Sequence, residues 1–225
     1  LAAVGLSLIY GVTGLVNFAH SEMVAFGAVV TWTVEDWTGM PLILAAVVGV
    51  IVGGLLGFVL EKRLFAPLRA RKLSLISLMV VSIGLAFLMR YAYLIYFGAE
   101  RKFFQDFRIQ TNYNIGPLSL PPKDYVIIVA SFAVLITVGL LLQRTKVGTA
   151  MRAVADNRDL AESSGIDVRR TILAVWVVGS ALAALGGTFI GSTQQVSWQM
   201  GERQLLLIFA AVTLGGLGTI YGAIV

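Results

Sequence analysis

Residues 147–170 read VGTAMRAVADNRDLAESSGIDVRR and carry Arg152, Asp156, Arg158, Asp159, Glu162, Asp167, Arg169 and Arg170 between two strongly apolar runs. Nowhere else in the chain is a stretch so long and so charged. Wound as a helix, it sets Val147, Ala150, Met151, Val154, Ala161 and Gly165 on one stripe and leaves the charges on the remaining surface. An amphipathic helix strung between apolar segments needs a surface to dock against, so the segment reads as the organising feature of one side of a membrane protein.

Composition points the same way. Of 225 residues 58% are apolar and only 13% charged, and the mean hydropathy is +0.87, far above a soluble domain. A membrane span takes roughly 20 apolar residues, which leaves room for about six or seven such segments. The expected fold is therefore all-α, a single polytopic helical bundle covering residues 1–225, with the polar loop at 144–170. The net charge of +5 sits in short loops between spans, where the positive-inside rule accounts for it without nucleic acid. The absence of cysteine removes disulfides, thiol catalysis and Cys-based metal sites, and a single histidine, His20, excludes the usual zinc cluster. The chain begins at Leu1 and stops at Val225 inside apolar runs, and both ends are expected to be truncated.

Residues 1–34 are apolar but punctuated by Gly5, Gly11, Gly14, Asn17, His20, Ser21 and Glu22. As one helix they would overrun a bilayer, so two half-spans meeting at a polar break are expected. A short acidic link, Glu35 with Asp36, precedes the span 42–60, where Ala45, Gly49, Gly53 and Gly57 form a small-residue ridge for close helix approach. Residues 61–72 hold Lys62, Arg63, Arg69, Arg71 and Lys72 against Glu61 and are expected as a basic cytoplasmic loop. In the span 73–97, Arg90 with Tyr91, Tyr93 and Tyr96 suggests an outer interfacial belt with a snorkelling arginine, a functional intramembrane arginine being the alternative. Residues 98–124 read as an irregular external loop. The span 125–142 returns the chain to the side of the basic loop and delivers 143–170 there. The span 171–192 repeats the ridge with Gly179, Ala183, Gly187 and Gly191, polar 193–203 lies outside, and 204–225 is interrupted by Gly215, Gly216, Gly218 and Gly222. Broken apolar segments placed early and late point to an internal repeat with a midplane pathway.

Gly5-Leu6-Ser7-Leu8-Ile9-Tyr10-Gly11, Asn17-Phe18-Ala19-His20, Pro67-Leu68-Arg69 with Ile83-Gly84, Gly148 to Gly165-Ile166, and Leu214-Gly215-Gly216-Leu217-Gly218 follow in the order and spacing of one family. Over nearly its whole length the chain resembles the LivH-type permease subunits of branched-chain amino-acid ABC importers. It departs at Ser21, where the family usually has glycine, and at Tyr221, where proline is common; both lie in segments assigned to the substrate path. Urea or short-amide importers share much of the pattern and form the alternative.

The resemblance implies that residues 148–167 are a cytoplasmic coupling helix region docking on an ATPase subunit, with Gly148, Ala150, Met151, Val154, Arg158, Ala161, Gly165 and Ile166 as the docking set. Gly165 suits the left-handed position that ends a helix, with Ile166 folding back on its last turn, and Asn157 suits an internal cap that divides the segment into two helices. Arg152 with Asp156 and Arg158 with Glu162 stand at pairing distance. The chain has no GxxxxGK[ST] loop, so ATP is expected on partner subunits and no cofactor on this chain. The implied partners are ATPase subunits, a sister permease or second copy, and an extracytoplasmic binding protein, all at the inner membrane.

Candidate substrate-path residues are Asn17, His20, Ser21, Glu22, Gly215, Gly216 and Gly218. For the first four, the competing reading is that they satisfy a broken backbone and tie neighbouring helices together; a proton relay through His20 and Glu22 is the third. The glycines can line a channel with backbone or let helices pack. An ion-coupled secondary transporter is the rival function, and no nucleophile-base or metal-ligand set for a membrane enzyme can be assembled.

Overall fold

In the computed structural model, which describes residues 1–105, 113–115 and 118–216, ten α-helices account for most of the chain. They are α1 (Ala2–Thr13), α2 (His20–Thr38), α3 (Leu42–Leu60), α4 (Ala66–Ala70), α5 (Leu75–Phe97), α6 (Pro122–Arg144), α7 (Lys146–Asp156), α8 (Arg158–Ser163), α9 (Val168–Thr193) and α10 (Met200–Leu214). A two-stranded antiparallel hairpin, β1 (Tyr113–Ile115) and β2 (Leu118–Leu120), sits in the long loop with Tyr113 opposite Leu120. Four helical stretches, Leu42–Ala70, Leu75–Phe97, Pro122–Arg144 and Val168–Thr193, are long and apolar enough to cross a membrane, and α1 is a shorter apolar helix. The chain is a multi-pass membrane protein.

Helix α9 is the central post, with α1, α2 and α3 packed along it. In lipid, helices gain little from hydrophobic burial against one another, so close van der Waals contact has to hold them. The two small-residue ridges supply it. Ala45, Gly49, Gly53 and Gly57 are all buried, as are Gly179, Ala183, Gly187 and Gly191. A Cβ on Gly179 would stand 2.8 Å from the Gly5 carbonyl oxygen, and one on Gly187 would overlap the Val24 carbonyl. A hydrogen bond between Thr31 and Thr188 (2.9 Å) adds a polar tie between α2 and α9.

The break expected within 1–34 is a true helix end. Gly14 takes φ 65° and its N–H caps the Tyr10 carbonyl, and α2 restarts at His20. Phe18 N–H in the break donates to Ser82 Oγ of α5 (3.1 Å), and the Phe18 ring meets Phe209 of α10 at 5.2 Å.

Two expected loops are helical instead. The acidic link at Glu35 and Asp36 lies inside α2, which runs to Thr38. Glu35 is buried there and accepts the Gln105 N–H on both carboxylate oxygens (3.2 and 3.1 Å). The basic segment 61–72 continues α3 through a π turn, Glu61–Phe65, into α4. Pro67 has no N–H to donate to the preceding turn, and the wider turn, closed by Ala66 N–H on the Glu61 carbonyl, absorbs the gap. It also turns Phe65 inward, where the ring stacks on Trp176 of α9 at 4.8 Å.

Helix α10 starts at Met200, four residues before the expected apolar run, and ends at Leu214 with Gly215 as its cap and Gly216 at φ 90°. Gly218, Tyr221 and Gly222 lie outside the described residues.

Candidate functional site

Glu22 stands in the first turn of α2, where the helix dipole favours a carboxylate. It is fully buried, and a carboxylate at that depth requires a counter-charge. Arg90 of α5 supplies it: Nε and Nη2 donate to Glu22 Oε1 at 3.0 and 2.8 Å. The remaining arm, Nη1, reaches Glu202 Oε2 of α10 at 3.0 Å. One guanidinium thus joins three helices. Tyr93, one turn along α5, donates its hydroxyl to the Glu22 backbone carbonyl (3.0 Å), and the Phe87 ring lies 5.6 Å from the Arg90 guanidinium carbon. Gly201 leaves the space that the carboxylate occupies; a Cβ there would come within 2.6 Å of the Glu22 carboxyl carbon.

The cluster is asymmetric. The Glu22 side chain is wholly enclosed, whereas the Glu202 side chain is 55% exposed. A fixed buried acid therefore holds the arginine in place, and an accessible acid occupies the arm that another carboxylate could take. The chemistry available is exchange of a charge partner, with no bond made or broken.

The other early candidates do different work. His20 Nε2 lies 2.9 Å from the Ala2 carbonyl and ties α2 to α1. Two residues apart on a helix, His20 and Glu22 do not face each other, and the structure places them on different neighbours. Asn17 Oδ1 accepts the Ala19 N–H (3.1 Å), its Nδ2 approaches Met23 Sδ (4.0 Å), and Ser21 Oγ donates to the Phe18 carbonyl (3.3 Å). Gly215 and Gly216 follow Glu202 by thirteen and fourteen residues along or just past α10, about 20 Å of helix rise. They are not part of the cluster.

Arg90 and Glu202 are absent from the candidate set drawn from the sequence, where Arg90 stood at an interfacial belt with an intramembrane arginine as the alternative and Glu202 in the polar stretch 193–203. Arg90 is buried, not snorkelling. A signal was present: Glu22 is an acid among apolar residues in one helix and Arg90 a base in another, and each is costly alone.

The polar segment 144–170 forms the second candidate site. Thr145 caps α7 by accepting the Gly148 N–H (3.0 Å), and Asn157 caps α8 by accepting the Leu160 N–H (3.0 Å). Gly165 takes φ 83°, Ile166 N–H folds back onto the Ala161 carbonyl (3.0 Å), and Asp167 caps α9 through the Arg170 N–H (2.9 Å). Most of the stripe, however, faces inward, Val147 and Gly165 excepted. Gly148, Met151, Val154 and Ala161 are buried against the chain's own bundle, with Met151, Val154 and Ala161 in a core that includes Leu15, Phe65 and Ile172. Ala150 and Ile166 are half-buried. The outward face presents Val147, Arg158, Asp159, Leu160, Glu162 and Gly165. The apolar stripe therefore anchors the segment and does not itself offer a docking surface.

The four-residue pairs expected along it do not form among the described residues. Arg152 turns back to donate to the Leu142 carbonyl, a backbone acceptor left open where α6 ends, and to Thr149 Oγ1. Arg158 instead shares a cavity with Glu61, Lys62 and Arg69 of the 61–70 segment. The two basic segments thus meet at one end of the bundle, as span counting requires.

The family model for the branched-chain amino acid transport system permease component matches residues 1–225. The probable branched-chain amino acid transport permease protein LivH of Methanocaldococcus jannaschii is 31% identical over 232 residues, covering all of this chain and 72% of that protein. The LivH high-affinity permease protein of Escherichia coli strain K12 is 28% identical over 245 residues, covering all of this chain and 77% of its own length. The BraD permease protein of Pseudomonas aeruginosa is 28% identical over 239 residues, covering 99% and 76%. No solved structure matches. With a family model matching it from end to end and a polytopic helical fold, this chain belongs to the branched-chain amino acid transport system permease family.

Proposed function

We propose that this chain is the permease subunit of an ABC importer that carries branched-chain or other small amino acids across the cytoplasmic membrane, driven by ATPase subunits docked on α7 and α8. The observation that carries this reading is the anchoring of α7 and α8. Their inner face is packed into the bundle, while Val147 and Leu160 stand 54% and 64% exposed on the outer face beside Arg158, Asp159 and Glu162. A helix held on one side and open on the other passes an applied displacement to whatever it is packed on. Here that is α1, α6 and α9, and α9 in turn packs on α2, which carries Glu22.

At the other end of this chain of contacts, Arg90 offers its Glu202-bound arm to the carboxylate of an amino acid, and Glu202, once released, offers an acceptor to the ammonium. Alternating access then consists of making and breaking the contact between α10 and α5 as the ATPases close and open. The ATPases hold the ATP, and a sister permease or second copy and an extracytoplasmic binding protein complete the importer. The supporting facts are the family match and the three-helix charge cluster.

The test is reconstitution of the permease with its ATPases and binding protein in proteoliposomes, reading ATP hydrolysis against candidate ligands. Leucine, isoleucine or valine should stimulate hydrolysis and be taken up. Stimulation by urea or acetamide but by no amino acid would replace the substrate class. Uptake that persists without nucleotide and collapses with the ion gradient would overturn the ABC reading.

A further inference from the structure

The two basic segments enclose more positive charge than they use. Two adjoining cavities of about 360 Å³ each open where the end of α3 meets α9, and both are lined by Glu61, Lys62, Ala66 and Arg169. Their acids are in ion pairs, Glu61 through Oε1 with Arg69 and Asp167 with Arg170, while Glu61 Oε2 is buried without a donor. Lys62, Arg158 and Arg169 form no ion pair within 4.0 Å among the described residues, although Arg158 and Arg169 feel the Glu61 carboxylate at longer range. A further donor, Arg69 Nη1, is buried there without an acceptor. Three cations without a close ion pair and an unmet donor around a concave site, against one shared, engaged acid, suit a phosphate-like anion.

The helix leading to the cavities states which anion. On α3, Val47, Ile51, Leu55 and Val59 are 49–57% exposed and recur every four residues. They lie on the face opposite the buried ridge Ala45, Gly49, Gly53 and Gly57. This apolar track runs down the helix and ends at Lys62, whose ammonium sits 5.1 Å above the Phe58 ring, so acyl chains lying on the track would bring a headgroup to the cations. We propose that the paired cavities bind the phosphate of an anionic phospholipid, with its chains along α3 and its headgroup held by Lys62 and Arg169, the cations common to both. A bound lipid would then bridge the α3–α4 junction and the α8–α9 junction, and the importer would respond to the anionic lipid content of its membrane.

The assembled importer, stripped of lipid and offered phosphatidylglycerol and phosphatidylethanolamine in equal amounts, is read by native mass spectrometry for retained lipid. Phosphatidylglycerol should be retained preferentially. The variant Lys62→Gln/Arg169→Gln should retain about thirtyfold less of it, two membrane-facing cations having been removed. Arg144→Gln/Lys146→Gln, which removes the same charge elsewhere on that end, should retain it normally, and Lys62→Arg/Arg169→Lys should restore it and so exclude a folding defect. Equal retention by Lys62→Gln/Arg169→Gln, or equal loss in the control, overturns the proposal. So does retention only after the ATPases are removed, which would give the cavities to a protein partner. Occupancy by inorganic phosphate with no lipid retained would mark a free-anion site and overturn the lipid assignment.

Discussion

Removing Arg90 tests the central geometry most directly. In Arg90→Leu, Glu22 keeps its position, fully buried, but loses both charge-assisted bonds at 3.0 and 2.8 Å. Breaking a buried pair from one side costs about 3–5 kcal/mol, because a desolvated charge is left without compensation. At about 4 kcal/mol the folded-to-unfolded ratio falls roughly a thousandfold. Glu22→Leu should cost less, about 1–3 kcal/mol, since Arg90 retains Glu202 at 3.0 Å and that acid is half-exposed. In Glu22→Leu/Arg90→Leu both charges go together, and replacing a buried pair by apolar residues is close to neutral. The double variant should therefore lie nearer the parent than Arg90→Leu does. Unfolding in detergent followed by circular dichroism, over the four-member cycle, reads the coupling. Arg90→Leu as stable as the parent, or single losses that simply add in the double variant, would refute the buried-pair argument. Tyr93→Phe, which removes one neutral hydrogen bond to the Glu22 carbonyl, should cost only about 1 kcal/mol.

Further outcomes follow from other parts of the fold. Val154→Asp places a carboxylate in the buried face of α7 and should deplete assembled permease from the membrane, as read by immunoblot; burial of an unpaired polar group costs several kcal/mol, roughly 2–7. Leu160→Asp, on the exposed face of α8, should leave permease abundance unchanged and uncouple ATP hydrolysis from uptake in proteoliposomes. Gly187→Ala drives a Cβ into the Val24 carbonyl of α2 and should destabilise the bundle by about 1–3 kcal/mol, measured by thermal melting in detergent. Glu202→Gln breaks only a half-exposed pair, so its stability should change by less than about 1 kcal/mol while the ligand concentration giving half-maximal uptake changes.

Several features were legible because they are periodic or local. The four-residue recurrence of small residues at 45–57 and 179–191 can only mark faces where helices touch closely, and both ridges are buried. Asn157 and Gly165 act through backbone atoms within a few residues of themselves, so the split of α7 from α8 and the turn before α9 could be read directly. The placing of 61–72 with 143–170 followed from counting spans, since each apolar helix reverses the side of the chain.

What only the tertiary structure decided is direction and partnership. The stripe Gly148, Met151, Val154 and Ala161 defines a face, but periodicity carries no information about whether that face meets a foreign subunit or the chain's own α1, α6 and α9. Packing chose the latter. The segment 147–170 is amphipathic as its spacing dictates, and the buried part of its apolar stripe packs on the bundle itself. Glu22, Arg90 and Glu202 belong to α2, α5 and α10, and no local pattern links them. Sequence alone determined that an apolar chain must hide or pair its few charges; the packing of three helices decided which charges meet, because a buried ion pair exists only where distant segments bring both groups within hydrogen-bond reach.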